Sequence, residues 1–342
     1  MIKTLSLCPV CYKKIPADII NHDGAVWMFK ECDVHGKFSA LMETDSAFFT
    51  AFYKEGTLGK NKSIIVHSYN QCNMTCKWCY YPMGKERIPT VEEVNQILGM
   101  YRGFNIMLSG GEPTIDPEFF LKVAQYTTLG WGVSAITNMI QLADERFLEE
   151  AMASPLKVGN TLNFACSFQH PKNHSSEITS AKFQALHNME VRGVQPACLM
   201  FSIQSLDELN WIEEFYSRTK GHYPMIRIRG MFRNWAANGL KKDFYLSDLY
   251  KAVCEKFGKY SPVQSVKSEH SNLYCLYLSL DDGTQISLSC APDVNDLDYH
   301  QCSRPVYMLA RDLRCYPVPI AQIINEGIDK GWKDGFSLEK EA

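Results

Sequence analysis

The sequence predicts an α/β fold: a parallel sheet covered by helices, with a small Cys/His metal-binding module before it and an α+β extension after it. Three changes of texture carry this reading. Short apolar runs alternate with amphipathic segments from about residue 62 to 232. The first 60 residues are Cys-rich with short strand-like runs, and from 245 onward a helix is followed by a hairpin pattern. The expected division is 1–60, 61–244 and 245–342.

Taken in order, Ala25–Lys30 and Lys37–Met42 read as short strands, and Ala47–Tyr53 is aromatic-rich. The Gly/Lys-rich stretch 55–62 reads as a linker. Ser63–Ser68 is a buried strand, and Thr90 opens a helix with Glu93 completing a capping box. Strands are expected at Asn105–Leu108, Gly132–Thr137, Leu162–Phe168, Ala197–Ile203 and Met225–Met231. Helices are expected at Pro117–Gln125, Asp144–Met152, Ala181–Arg192 and Leu206–Ser217. Strands that alternate with helices of this length pair in parallel through right-handed crossovers. Six such units build either an open partial barrel or a doubly wound sheet, and periodicity does not separate the two. Beyond them, Ser247 is the expected cap of a helix to about Phe257, and Tyr274–Leu280 with Thr284–Ser289 alternate around Asp282-Gly283 as a hairpin.

Composition narrows the function classes. Hydrophobic residues at 46% and charged residues at 21% are ordinary for a folded domain, which argues against disorder. A net charge of −3 gives no basis for nucleic-acid or anionic-membrane binding. No apolar run approaches the ~20 residues needed to span a bilayer, so an integral membrane protein is not expected. The N-terminal MIKTLSLCPVCYKK lacks a signal-peptide core, so the expected location is cytoplasmic. There, 13 cysteines point to metal sites and not to disulfides. Cys166, Cys198 and Cys254 sit in strand-like or helix-like patterns and read as buried hydrophobes.

Two motifs carry the chemistry. Cys72, Cys76 and Cys79 follow the first strand of the alternating region with C-x3-C-x2-C spacing. A four-iron cluster normally takes four cysteines. Three on one loop leave one iron open to an external ligand, although a zinc site can also use such spacing. At the end of the next strand stands Ser109-Gly110-Gly111-Glu112-Pro113. The glycines permit close backbone approach to a ligand, and Glu112 offers an acceptor for an ammonium group. Loops at the C-terminal ends of parallel strands are where ligands bind in such folds. By itself the same tetrapeptide is also compatible with a simple turn.

Together, in this order, the two motifs resemble the radical S-adenosylmethionine (SAM) superfamily, as does the aromatic Trp78 before the third cysteine. The resemblance implies a partial (βα)6 barrel with SAM at its mouth. It implies a [4Fe–4S] cluster on the triplet that reductively cleaves SAM to a 5′-deoxyadenosyl radical for C–H abstraction. Ser109, Gly110, Gly111 and Glu112 would bind the SAM amine, and Trp78 and Tyr80 would lie near the adenine. Thr137 and Asn138 would line the cavity. Ser167 and Gln169 would contact ribose or carboxylate. Arg227 and Arg229 would meet the SAM carboxylate or the substrate, or else pair with acidic residues. An electron donor such as flavodoxin or ferredoxin is implied as partner.

The flanking cysteines suggest further centres. Cys8-x2-Cys11 and Cys32-x2-His35 fit a tetrahedral zinc site, with rubredoxin-like iron as the alternative. Joined to the core motifs, this module is similar to that of tetraether lipid synthase and the archaeal pterin-methylating radical SAM proteins. That likeness implies C-methylation or C–C bond formation on a small molecule or lipid. Cys275, Cys290, Cys302 and Cys315 are candidates for an auxiliary [4Fe–4S] cluster, with buried cysteines as the alternative. An auxiliary cluster would favour peptide or natural-product maturation. A metal-binding or electron-transfer protein without catalysis is the reading from another class.

Overall fold

The structure is a computed structural model. It describes residues 1–53, 63–76, 79, 88–101, 104–126, 133–153, 162–230, 244–266, 273–302, 306–309, 315–317, 321 and 323. The chain begins with an antiparallel meander of β1 (Ile2–Leu7), β2 (Lys14–His22), β3 (Ala25–Cys32) and β4 (Gly36–Glu43), paired in sequence order. Asp23 and Gly24, both at positive φ, turn β2 into β3, and Gly36 at φ 79° opens β4 beside the Cys32–His35 turn. β1 and β2, on either side of the Cys8–Cys11 turn, are additional to the strands expected in this module. The aromatic segment forms α1 (Ser46–Phe52), with Asp45 accepting from the Ala47 and Phe48 N–H groups.

The alternating region follows as β5 (Ser63–Tyr69), α2 (Val91–Met100), β6 (Asn105–Gly110), α3 (Pro117–Tyr126), β7 (Val133–Thr137), α4 (Glu145–Ala153), β8 (Leu162–Ser167), α5 (Ser176–Val191), β9 (Cys198–Ile203), α6 (Leu209–Thr219) and β10 (Met225–Gly230). The Thr90–Glu93 capping box is present. α5 starts earlier than expected, at a cap formed by Ser175. After these come α7 (Leu246–Phe257), β11 (Val263–Val266), β12 (Cys275–Leu280), β13 (Gln285–Cys290), β14 (Val306–Leu309) and β15 (Cys315–Pro317).

The strands from β5 to β10 pair in parallel in sequence order. The hairpin and the tail lie in the same sheet: β13 runs parallel to β10, and β14 runs parallel to β5. The full order among the described residues is β11-β12-β13-β10-β9-β8-β7-β6-β5-β14-β15, which has two edges and does not close. The α/β partial barrel is thus extended on both sides by the C-terminal residues.

One face of the sheet supplies Ile64, Val66, Leu108, Phe164, Phe201, Ile228 and Leu288 to the main core, where α2 to α7 cover them. Because strand side chains alternate, the other face holds the polar residues that build the site.

Ser247 does not cap α7. Tyr245 stands at the cap, with its N–H donating to Asp248. The Ser247 hydroxyl instead donates to Glu43 of β4 at 2.6 Å. A second tie holds the meander: buried Lys30 of β3 donates to Ser6, Leu7 O and Val294 O at 2.6–2.9 Å. Burial pulls its pKa down to about 8. Thr4 adds a 2.6 Å hydrogen bond to Asp298.

Candidate metal and SAM sites

At the N-terminus, the ligand atoms of Cys8, Cys11, Cys32 and His35 all lie within 4.8 Å of one another. Cys8 Sγ and Cys32 Sγ are 3.6 and 3.5 Å from His35 Nδ1, and Cys11 Sγ is 4.0 Å from Cys32 Sγ. Tetrahedral zinc, with bonds of about 2.3 Å to sulfur and 2.0–2.1 Å to nitrogen, places S···N at about 3.6 Å and S···S at about 3.8 Å. The four side chains therefore fit one ion. The Val34 N–H and His35 hold the Cys32 thiol down near 6, so it sheds its proton readily to a metal.

The C-x3-C-x2-C loop leaves the C-terminal end of β5. Cys72, Cys76 and Cys79 are partly buried and form no disulfide. Burial, with the neighbouring Cys79, raises both Cys72 and Cys76 to about 11. The Cys79 N–H donates to Cys76 O, and the Met74 N–H points at Cys72 Sγ. Among the described residues, only the N-terminal set gathers its ligand atoms at single-ion spacing. Three free thiols within eight residues of one another suit separate corners of a polynuclear cluster, so the donor set fits a three-cysteine iron–sulfur centre.

The Gly-Gly-Glu loop docks directly on this segment. The Gly111 and Glu112 N–H groups donate to Tyr69 O and Gln71 O at 2.8 and 2.7 Å. A Cβ on Gly110 would lie 1.9 Å from Tyr69 O, and one on Gly111 2.2 Å from Gln71 O. Gly110 also has φ 137°. Both glycines are therefore needed for backbone-to-backbone approach, and not only for approach to a ligand.

Glu112 requires a correction. Its carboxylate is 1% exposed and turned into the protein. One oxygen accepts from Thr114 N, Thr114 Oγ1 and Thr137 Oγ1, and the other from Asn138 N at 2.6 Å. Burial raises its pKa despite these four donors. In this arrangement Glu112 ties the ends of β6 and β7 together and does not present itself as an ammonium acceptor. Asn138, held by that tie, reaches the cysteine loop: its Nδ2 donates to Asn73 Oδ1 at 2.7 Å and lies 3.7 Å from Cys72 Sγ. The next residue, Met139, is fully buried at φ 75°. Such a strained conformation in a bulky residue marks a position held by its surroundings.

Ser167 and Gln169 end β8 and meet a cation that sequence reasoning missed. Lys182 of α5 is 2% exposed and donates to Ser167 O and Gln169 Oε1 at 2.7 and 2.8 Å. His174 Nε2 lies 3.3 Å from the same Gln169 oxygen. Burial lowers Lys182 to about 8, while Cys76 and Glu112 pull it upward. The signal was present in the sequence. Lys182 stands at helical spacing with Ala185, Leu186 and Met189 on the buried stripe of α5, where a charge is out of place.

Arg229 donates to Ser202 Oγ at 3.2 Å. Arg227 has no hydrogen bond or ion pair among the described residues. Its nearest titratable groups are Cys198, Tyr277 and Cys275, none of them a carboxylate. The expected acidic partner of Arg227 is therefore absent there.

Trp78 and Tyr80 lie outside the described residues, as do the side chains of Cys302 and Cys315. Cys275 and Cys290 do not converge as an auxiliary cluster would need. Cys275 pairs with Ser289, one residue away from Cys290, so the two thiols lie on opposite faces of the sheet. Cys275 lies 3.6 Å from Ser287 Oγ, whereas Cys290 packs into the helix-side core.

Comparison with known proteins agrees with this geometry. The model of the radical SAM superfamily matches residues 66–184, and that of the HMPTM N-terminal zinc ribbon domain matches residues 1–44. The 7,8-dihydro-6-hydroxymethylpterin dimethyltransferase of Methanocaldococcus jannaschii is 28% identical over 182 residues, covering 43% of this chain and 36% of that protein. The 7-carboxy-7-deazaguanine synthase of Haemophilus influenzae is 28% identical over 90 residues, covering 26% of this chain and 42% of that protein. The similarity thus spans less than half the length of either relative.

Among solved structures, Streptococcus suis SuiB bound to the precursor peptide SuiA superposes with TM-score 0.53 at 13% identity, over 78% of this chain and 62% of that one. SuiB bound to SAM gives 0.50 at 13%, over 75% and 60%. These likenesses establish the fold. No helix among the described residues is long and apolar enough to cross a membrane. The chain thus carries a radical SAM domain at 66–184 behind a zinc ribbon at 1–44.

Proposed function

We propose that this chain cleaves SAM reductively at a [4Fe–4S] cluster held by Cys72, Cys76 and Cys79, and uses the resulting radical for C–H abstraction leading to C-methylation or C–C bond formation. The observation that carries the proposal is the three-thiol loop docked on the Gly110–Gly111 backbone beside a buried cation. A cluster held by these three cysteines would supply the electron that splits a carbon–sulfur bond of bound SAM into methionine and the 5′-deoxyadenosyl radical.

The protein's part is positioning. Glu112 fixes Asn138 against the cysteine loop through the Asn138 N–H. Lys182, with two protons committed to Ser167 O and Gln169 Oε1, places positive charge at the C-terminal end of β8, where the SAM carboxylate would lie. Ser167 and Gln169 line the same end of the barrel, and Trp78 and Tyr80 are assigned to the adenine by family likeness alone. The pterin dimethyltransferase relative favours a small-molecule substrate. A flavodoxin- or ferredoxin-type donor would supply the electron. The N-terminal quartet holds zinc, with no open coordination position and no catalytic step assigned to it.

Anaerobic reconstitution with iron and sulfide, followed by dithionite and SAM, tests the proposal. Catalytic formation of 5′-deoxyadenosine is expected. An intact cluster that forms none would refute it.

A further inference from the structure

The inner faces of β9, β10, β13 and β12 carry a polar patch to which the proposed function assigns no role. Register places Arg229 directly between Ser202 and Ser289 on its two neighbours, and Arg227 between Met200 and Ser287, with Tyr277 one strand further on. The intervening Ile226 and Ile228 point into the helix-side core, so both guanidinium groups belong to the opposite, barrel-inner face. Ser202 and Ser287 are buried there; Ser202 Oγ accepts from Arg229 Nε at 3.2 Å, and Ser287 stands beside Arg227 in register, with its hydroxyl 3.6 Å from Cys275 Sγ.

Arginine stays protonated in proteins, and an enclosed charge is costly unless it is paired. Arg227 faces two thiols and a phenol, and has no hydrogen bond or ion pair among the described residues. A planar fork of donors next to hydroxyl groups is the chemistry that recognises a carboxylate or a phosphate.

From these observations we infer that Arg227 and Arg229, with Ser287 and Ser289, form a subsite for an oxyanion carried by the substrate. This deepens the radical SAM reading, and rests on it, by naming the charge of the molecule that is acted on. The patch is separate from the cation next to the cysteine loop. Ser167, whose carbonyl Lys182 holds, lies in the same cross-strand row as Met200 and Arg227. Arg227 is therefore two strands away, roughly 10 Å at ~4.8 Å per strand. A substrate anchored by its anionic group at Arg227 would extend along the inner face toward the cluster end.

The test is thermal unfolding of the reconstituted chain in sodium phosphate, sodium acetate and sodium chloride at matched ionic strength, with SAM affinity measured in parallel by equilibrium dialysis. Phosphate or acetate should raise the midpoint saturably, by roughly 2 °C or more over chloride. Whichever of the two acts at lower concentration identifies the group as phosphate-like or carboxylate-like. Arg227→Met should remove that saturable part and leave only general salting effects, with SAM affinity changed less than about twofold. Arg227→Lys should keep a fraction of the shift. If Arg227→Met does not fold, Ser287→Ala, which removes only a hydroxyl, should still weaken the anion response several-fold.

No saturable shift in the unaltered chain overturns the inference, as does an undiminished shift in Arg227→Met or, should that variant not fold, in Ser287→Ala. A tenfold loss of SAM affinity in Arg227→Met also overturns it, because the anion would then be SAM's own carboxylate. The 5′-deoxyadenosine assay without added anion reports separately on the radical reading, so the two can fail independently.

Discussion

At the N-terminal site, two cysteine-bearing turns bring four ligand atoms within 4.8 Å of one another. In the 72–79 loop, three thiols follow a single strand and no such gathering occurs among the described residues. The first arrangement fills a tetrahedral ion and leaves nothing for a substrate. The second suits the corners of a larger cluster, and three thiols would leave one corner of four to an outside ligand. Their surroundings differ in the same sense. Peptide N–H groups and His35 hold Cys32 down near 6, whereas burial holds Cys72 and Cys76 up near 11. On the proposed function, one chain would hold a closed centre that organises a small meander and an open one placed for chemistry.

The sharpest way to separate the two centres is to remove one ligand from each. Cys76→Ala should lower 5′-deoxyadenosine formation by at least about 10³-fold, with the zinc content unchanged; metal analysis and product assay together check this. Cys32→Ser should do the reverse. Zinc is expected to be lost and residues 1–44 to become sensitive to protease, because structural zinc contributes folding free energy directly. Iron at the 72–79 loop should persist in that variant. A variant of either kind that empties both sites would break the comparison.

A smaller effect is expected at the tie that supports the open site. Glu112→Gln puts an amide where both oxygens now accept, so at least one buried donor loses its partner. A destabilisation of about 2 kcal/mol is expected in denaturant unfolding, together with loosening of Asn138. Smaller still is the acid response of His174. Burial holds its pKa near 4, against an ordinary value near 6.5. The unfolded chain therefore takes up the proton first, and stability should decline as pH falls from about 6.5 toward 4. His174→Gln should flatten that part of the pH–stability profile.

Much of this was legible in the sequence, for reasons that are local. SIIVHS reads as a strand because its apolar run is short and bounded, and Thr90 with Glu93 announces a helix start through two reciprocal hydrogen bonds. The Cys/His spacing was equally local, since each knuckle needs only a few residues. What was missed depends on partners distant in the chain. Lys182 and Lys30 both occupy positions where the local period demands an apolar side chain, and both are stabilised by carbonyls contributed from elsewhere. Glu112 was read as facing a ligand because its four donors, from Thr114, Thr137 and Asn138, converge only once β6 and β7 lie side by side. The joining of β13 and β14 to the barrel sheet is likewise a matter of tertiary pairing that periodicity does not encode.

The most direct test of the open centre is paramagnetic resonance of the reduced, reconstituted chain with SAM labelled with nitrogen-15 in its amino group. Hyperfine coupling from that nitrogen to the cluster is expected, and it should vanish in Cys76→Ala. A fully assembled four-iron cluster that shows no coupling, with SAM demonstrably bound, would contradict the account.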